Sequence, residues 1–305
     1  MKSINIFSAL FALWLSVTST GGISSREDIY RENLRKLTFA NNELAFNLYQ
    51  RLVSGSSENV FFSPLSISTV FGMLFYGTRG NTAELSTDVA SPLKCFNVSL
   101  VLCSFGALGS LKNTTRKLEM GHFLEVRRIP MMYLTSRFPY ASADNFQALE
   151  LPYKGENVSM LILLPNERDG LQDFEDSLTP ERLEEIQRRL YRTKVDVSIP
   201  KFKLRFEKEL SPEIRALGAN QIFSGAADFS RMTSRRNVEV SQVVHKAVLE
   251  VNEKGSEAAA VTGIIVAYMR ASRRTPQFKV DHPFLFAILE KSSNMILFLG
   301  RVNNL

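Results

Sequence analysis

Side chains that could perform covalent chemistry are few in this chain. Its 305 residues include three histidines, His122, His245 and His282, and two cysteines. A serine or cysteine nucleophile needs a base beside it, and many zinc hydrolases present paired histidines on one helix. The sequence contains neither a G-x-S-x-G nor an H-E-x-x-H string. We therefore predict that the protein is not an enzyme and that it binds no metal or cofactor.

His245 belongs to a segment with the two-residue period of a strand. One face carries Val243, His245, Ala247, Leu249 and Val251. A histidine on so apolar a face is more often a hydrogen-bonded core residue than a catalytic base. The pattern predicts a half-buried strand and a structural role for His245.

The segment after this strand, EKGSEAAAVT from Glu253 to Thr262, is unusual. Continuing the alternation places small, uncharged residues on one face: Ser256, Ala258, Ala260 and Thr262. The other face carries Gly255, Glu257, Ala259 and Val261. Such a segment could enter a packed sheet without overpacking the layer beneath it. Alanine runs also favour helix, so the residues alone leave a helix or an ordinary loop open.

The elements around these residues are helices followed and separated by strands. An amphipathic helix is predicted from Leu37 to Val53, and Ser63-Pro64 is a typical helix start. Another helical pattern covers Leu171 to Leu190, with a start signal at Thr179-Pro180. Two strands are predicted around a turn at Lys291 to Asn294. The order indicates one α+β domain, residues 21–305.

Five blocks of sequence resemble a known family. They are NVFFSPLSISTVFGMLFYGTRGNTAEL (Asn59 to Leu85), RIPMM (Arg128 to Met132), LELPYKGENVSMLILLP (Leu149 to Pro165), KVDVSIPKFKL (Lys194 to Leu204) and FKVDHPFLFAILEKSSNMILFLGRV (Phe278 to Val302). In this order they resemble the serpins, inhibitors of serine proteases. The resemblance implies mostly antiparallel sheets, helices and an exposed reactive-centre loop.

It also implies roles for particular residues. The hinge that enters the sheet after cleavage would comprise Glu253, Gly255, Ser256, Glu257, Ala258, Ala259, Ala260 and Thr262. The cleaved bond would join Met269 to Arg270, which suits a secreted chymotrypsin-like or elastase-like protease. Cleavage after Arg270 would suit a trypsin-like protease, and Arg273 and Arg274 are further alternatives. Ser63, Ser66 and His245 would form a structural latch where the main sheet opens.

One departure from the family is large. Between Leu85 and Phe123 the chain is too short, so the family block expected at about residues 90 to 122 is missing or replaced. In serpins this block supplies one wall of the insertion slot and a partner for the histidine matched by His245. The alternation from Phe96 to Leu102 could provide a substitute strand. The alternative to an inhibitor is therefore a binding protein or a protease substrate that does not trap the protease. In that case His245 would also lack a hydrogen bond.

Features near the N-terminus indicate secretion. Lys2 and the apolar run Ile4 to Val17 predict a signal peptide over residues 1–20, because the run is too short to span a bilayer. Three sequons, at Asn97, Asn113 and Asn157, are possible glycosylation sites, Asn157 in an exposed turn. Cys95 and Cys103 could not form a disulfide across a straight strand, which favours free thiols.

The net charge of +6 is a mild excess. Basic pairs are dispersed at Arg127-Arg128, Arg188-Arg189, Arg235-Arg236 and Arg273-Arg274. They are more typical of a solvated surface than of a polysaccharide site, so at most weak binding of an anionic polysaccharide is expected. We predict a monomer that binds neither nucleic acid nor membranes.

Overall fold

The computed structural model describes residues 23–79, 82, 115–123, 126–252 and 275–305. It divides into two compact units. The first takes its described residues from Met1–Cys103, Arg205–Val248 and Ala287–Gly300, and the second from Ser104–Leu204, Leu249–Phe286 and Arg301–Leu305.

The described residues form both helices and strands, as predicted for an α+β fold. The helices are α1 (Ile23–Val53), α2 (Pro64–Gly77), α3 (Leu171–Asp176), α4 (Pro180–Arg188) and α5 (Ser211–Ala216). The strands are β1 (Val60–Phe62), β2 (Thr115–His122), β3 (Val126–Ser142), β4 (Phe146–Pro152), β5 (Val158–Pro165), β6 (Tyr191–Pro200), β7 (Phe202–Glu209), β8 (Val244–Val251), β9 (Gln277–Lys279), β10 (Phe284–Glu290) and β11 (Met295–Val302).

Helix α1 is longer than its apolar period predicts. The buried apolar residues begin at Leu37, as expected, but the helix begins at Ile23. Its exposed first half carries the ion pairs Arg31–Glu27 and Lys36–Glu32, each four residues apart. Such pairs support a helix without leaving an apolar stripe in the sequence.

The helical pattern from Leu171 to Leu190 divides into α3 and α4. Thr179 caps α4, because its hydroxyl accepts a hydrogen bond from the Arg182 amide at 3.2 Å. Pro180 at the first helical position has no amide hydrogen to lose, so it starts this helix but could not continue the preceding one. The start signal at Thr179-Pro180 is confirmed.

In the first unit, β11 lies between β1 and β10. Phe61 of β1 stacks on Phe298 of β11 with ring centroids 5.1 Å apart, in the buried core of this unit. The predicted turn between the last two strands, residues 291–294, is confirmed.

In the second unit the strand order is β5-β4-β3-β6-β9, and β2 pairs with β3. The β3 pairings with β2, β4 and β6 are antiparallel, whereas β6 and β9 are parallel, with Asp196 opposite Gln277. Phe202, Phe284 and Phe286 cluster in the core, with ring centroids 5.9 to 6.4 Å apart.

Strands β7 and β8 form a separate two-stranded sheet. β6 ends at Pro200 and β7 begins at Phe202, so the boundary between the two sheets lies at Lys201. Of the helices in the described ranges, none combines the length and apolar character that crossing a bilayer requires.

Candidate functional site

His245 lies on the inward face of β8, where the alternating sequence predicted it. His245, Ala247, Leu249 and Val251 are buried, whereas Lys246 and Glu250 are exposed. The imidazole ring centroid lies 6.4 Å from that of Phe206 on β7. His245 is therefore a core residue whose polar nitrogens need partners inside the protein.

One partner is the first turn of α2. The backbone amide of Ser63 donates a hydrogen bond to His245 Nε2 at 3.2 Å. The Ser63 hydroxyl accepts from the Ser66 amide at 3.1 Å and donates to the Leu297 carbonyl at 2.8 Å. Ser63 is thus the N-cap of α2 and also joins this helix to β8 and β11. The expected lack of a hydrogen bond at His245 does not apply here, because Ser63 supplies one.

Burial lowers the pKa of His245 to about 4. The hydrogen bond from Ser63 also requires a neutral imidazole, because Nε2 accepts from an amide only when it carries no proton. His245 is consequently neutral at pH 7, with its ring proton on Nδ1. This is the electrostatic state of a structural contact.

A second buried pair lies beside this contact. Asn41 of α1 donates from Nδ2 to the Ile296 carbonyl at 2.9 Å, and its Oδ1 accepts from the Ser68 hydroxyl at 3.0 Å. Asn41 and Ser68 are almost fully buried. Asn41 was not predicted as a structural residue, although a polar residue on the buried face of an amphipathic helix is a detectable signal.

The C-terminal end of β8 is held by charges in the second unit. Lys203 Nζ lies 3.0 Å from Glu250 Oε2, and Asn252 Nδ2 donates to Glu250 Oε1 at 2.6 Å. These hydrogen bonds lower the pKa of Glu250. They fix the last residues before the predicted hinge.

The predicted loop residues lie outside the described residues. These are the hinge, Glu253 to Thr262, and the candidate cleavage points Met269, Arg270, Arg273 and Arg274. The structure describes both flanks, since β8 ends at Val251 and β9 begins at Gln277. Within the described part of the chain, β8 pairs only with β7. Its other edge is the position where a further strand could pair.

The other histidines lie elsewhere. His122 is in β2. His282 is buried in the second unit, with Nε2 2.8 Å from the Pro165 carbonyl and Nδ1 3.0 Å from Asp281 Oδ1. Burial alone would raise the pKa of Asp281, but hydrogen bonds from His282 and Lys279 outweigh it and lower that pKa to about 2. Across the residues that the structure describes, no three His, Cys, Asp or Glu side chains are grouped to hold a metal.

Asn157 is exposed in the turn between β4 and β5, as predicted. The Tyr153 amide donates to the Val158 carbonyl at 2.9 Å, and positive φ angles at Gly155 and Glu156 close the turn. Asn97, Asn113, Cys95 and Cys103 lie outside the described residues.

Comparison with known proteins adds the family. A family model described as "Serpin (serine protease inhibitor)" matches residues 39–98 and 121–305. The chain is 30% identical to Iripin-8 from Ixodes ricinus over 401 residues, covering 96% of this chain and 99% of that protein. It is 43% identical to Intracellular coagulation inhibitor 2 from Tachypleus tridentatus over 196 residues, covering 64% of this chain.

That second match spans only 48% of the relative's length. Among solved structures, mouse protein-Z dependent protease inhibitor matches with a TM-score of 0.74 and 22% identity, covering 91% of this chain and 99% of that one. The Iripin-8 alignment is longer than this chain, and the family model leaves residues 99–120 unmatched.

Proposed function

Because the chain belongs to the serpin family, we propose that it inhibits a serine protease outside the cell by presenting the loop between β8 and β9 as a substrate. The observation that carries this proposal is the family-model match over residues 121–305, which spans the loop and both flanking strands. The relatives include two proteins named as intracellular coagulation inhibitors.

The first step is ordinary proteolysis. The protease serine hydroxyl attacks the carbonyl carbon of Met269, and its proton passes through the protease histidine to the leaving amine. The Met269–Arg270 bond breaks, Arg270 becomes a new amino terminus, and an ester joins Met269 to the protease. A methionine at this position suits a chymotrypsin-like or elastase-like protease. Cleavage after Arg270, Arg273 or Arg274 instead suits a trypsin-like protease.

The second step is insertion of the freed segment beside β8. Residues 253 to 262 continue directly from β8, whose second edge has no partner strand among the described residues. About ten new backbone hydrogen bonds at about 1 kcal/mol each, with apolar burial, would release on the order of 10 kcal/mol. This free energy would carry the attached protease with the loop and distort it before the ester is hydrolysed.

The experiment is incubation of the chain with chymotrypsin and, separately, with trypsin, followed by a denaturing gel. The proposal expects a band at the summed mass of chain and protease that survives denaturation. Mass spectrometry of the released peptide, beginning at Arg270, would identify the cleaved bond. Clean cleavage by both proteases, with neither giving that band, would contradict trapping.

A second candidate function rests on the gap in the family match. In serpins the missing block includes a strand that flanks the inserted loop, so here the inserted segment would pair on one side only. Its insertion would then release less free energy, and the chain would be a cleavable binding protein or substrate. Thermal unfolding of the cleaved chain separates the two candidates, because insertion raises Tm and its absence leaves Tm unchanged.

Secretion belongs to the same proposal. Residues 1–20 would be removed as a signal peptide, and Asn157, with Asn97 and Asn113, would receive N-linked glycans. The exposure of Asn157 supports its modification. Expression in insect or mammalian cells should give secreted chain whose mobility on a gel increases after glycosidase treatment. The mature chain would be monomeric, and any contact with an anionic polysaccharide would be weak.

A further inference from the structure

Three positive side chains share one face of the sheet in the second unit. In the β3–β6 register, Arg137 is opposite Lys194 and Pro139 is opposite Arg192. The side chains of directly paired residues point to the same face of the sheet. The next pair on that face, two residues further along each strand, lies about 7 Å away. Arg137, Lys194 and Arg192 therefore form one compact group, which we call the cationic cluster.

The cationic cluster is exposed and has little internal compensation. All three side chains are exposed, and none of the ion pairs among the described residues includes one of them. The nearest acidic position in the register is Asp196, whose Oδ1 accepts a hydrogen bond from the Thr135 hydroxyl at 2.7 Å. Like charges directly opposite each other destabilise a sheet, so the pairing of Arg137 with Lys194 does not stabilise the fold.

The cluster lies beside the end of the loop. Asp196 is two residues from Lys194, and its amide donates to the Pro276 carbonyl at 2.9 Å. Asp196 is also opposite Gln277, the first residue of β9. Arg270 is six residues before Pro276, so an extended chain could place it at most about 22 Å away. A protease attacking the loop would therefore stand within reach of the cluster.

We propose that the cationic cluster is a secondary docking surface for the target protease, and that it selects proteases with an acidic surface next to their active site. This inference rests on the proposed function, because the loop must be the site of attack. Charge complementarity of this kind mainly raises the association rate and depends on salt. A sulfated polysaccharide would also meet three positive charges, but continuity with the loop's attachment point favours the protease.

The test uses one protease in two surface charge states. Chymotrypsin with succinylated lysines keeps its active site, which a small peptide substrate verifies, but has an acidic surface. The measured quantity is the second-order rate constant for loss of intact chain, by complex formation or by cleavage. This readout works for an inhibitor and for a substrate.

The cluster variant is Arg137→Gln, Arg192→Gln and Lys194→Gln together. A matched control, Arg128→Gln, Lys154→Gln and Arg168→Gln, removes the same charge from other exposed positions of the unit. The single change Lys194→Glu is a second, less invasive variant, and thermal unfolding verifies that each variant folds.

With succinylated chymotrypsin at low salt, we expect the cluster variant to react about 3- to 10-fold more slowly than the control variant. The difference should disappear in 1 M NaCl, where the Debye length is about 3 Å. With unmodified chymotrypsin the cluster variant should not be slower than the control.

Equal rates for cluster and control variants with the succinylated protease would overturn the docking surface while leaving the proposed function intact. The docking surface would also be overturned if the cluster and control variants react at equal rates and immobilised heparin retains the wild-type chain but not the cluster variant. That result would assign the cluster to a polysaccharide. If neither protease attacks the loop, the proposed function itself fails.

Discussion

The amide of Ser63 and the Nε2 atom of His245 are joined by a buried hydrogen bond across 182 residues of sequence. This contact connects the start of α2 to β8, the strand that leads into the predicted hinge. Both residues belong to the first unit, so the contact holds the start of α2 against β8.

Replacing His245 by alanine should destabilise the protein. The change removes the acceptor of a buried amide and leaves a cavity, which together cost about 2 to 4 kcal/mol. His245→Gln retains an acceptor oxygen and should cost less. Urea unfolding at pH 7 measures both, and equal stability of the Ala and wild-type chains would show that the contact is not needed.

His245 should also make stability depend on pH. Its pKa is about 4 in the folded chain and about 6.5 when unfolded. Between these values the unfolded chain binds more protons, so stability rises with pH. From pH 7 to pH 5 the wild type should lose about 2 kcal/mol through this residue. The free energy of unfolding of His245→Gln should therefore fall by about 2 kcal/mol less than that of the wild type between pH 7 and pH 5. Identical pH profiles for the two chains would refute the low pKa of His245.

Ser63→Ala should weaken α2 at its first turn. The hydroxyl that caps the Ser66 amide and donates to the Leu297 carbonyl is lost, at a cost of about 1 to 3 kcal/mol. Ser63→Thr keeps the hydroxyl and serves as the control. Thermal unfolding should rank wild type, Thr and Ala in decreasing order, and an unchanged Ala variant would contradict the capping role.

A buried ion pair in the second unit gives a further prediction. Arg301 Nη1 lies 2.9 Å from Glu175 Oε2, with both side chains almost fully buried. Arg301→Met alone leaves a buried carboxylate without this partner and should cost about 3 to 5 kcal/mol. The double change Arg301→Met with Glu175→Leu should recover most of the loss in a urea unfolding series. A double variant as unstable as the single one would show that the charge is not the cause.

The small face of the hinge should be required for insertion. Ala258→Arg places a long charged side chain on the face predicted to turn inward, so a protease should cleave the loop without forming a stable complex. Glu257→Arg, on the predicted outward face, is the matched control. The ratio of complex to cleaved chain on a denaturing gel measures the effect, and equal ratios would argue against inward insertion of Ala258.

Local patterns in the sequence determined much of the fold. The alternation around His245, the cap at Thr179 and the turn at 291–294 depend on neighbouring residues, so they were predictable from short stretches. The same holds for β8 as a whole, and the family blocks supplied the fold class. By contrast, the start of α1 was missed because its first half is stabilised by exposed ion pairs and has no apolar stripe.

Only the tertiary structure decided which distant groups meet. Ser63 as the partner of His245, Glu175 as the partner of Arg301 and Arg137 opposite Lys194 all depend on strand register and packing. A one-residue shift of register would change every such pair while leaving the local sequence signals unaltered. Long-range polar contacts are therefore properties of the packed molecule, because no local preference selects one buried partner over another.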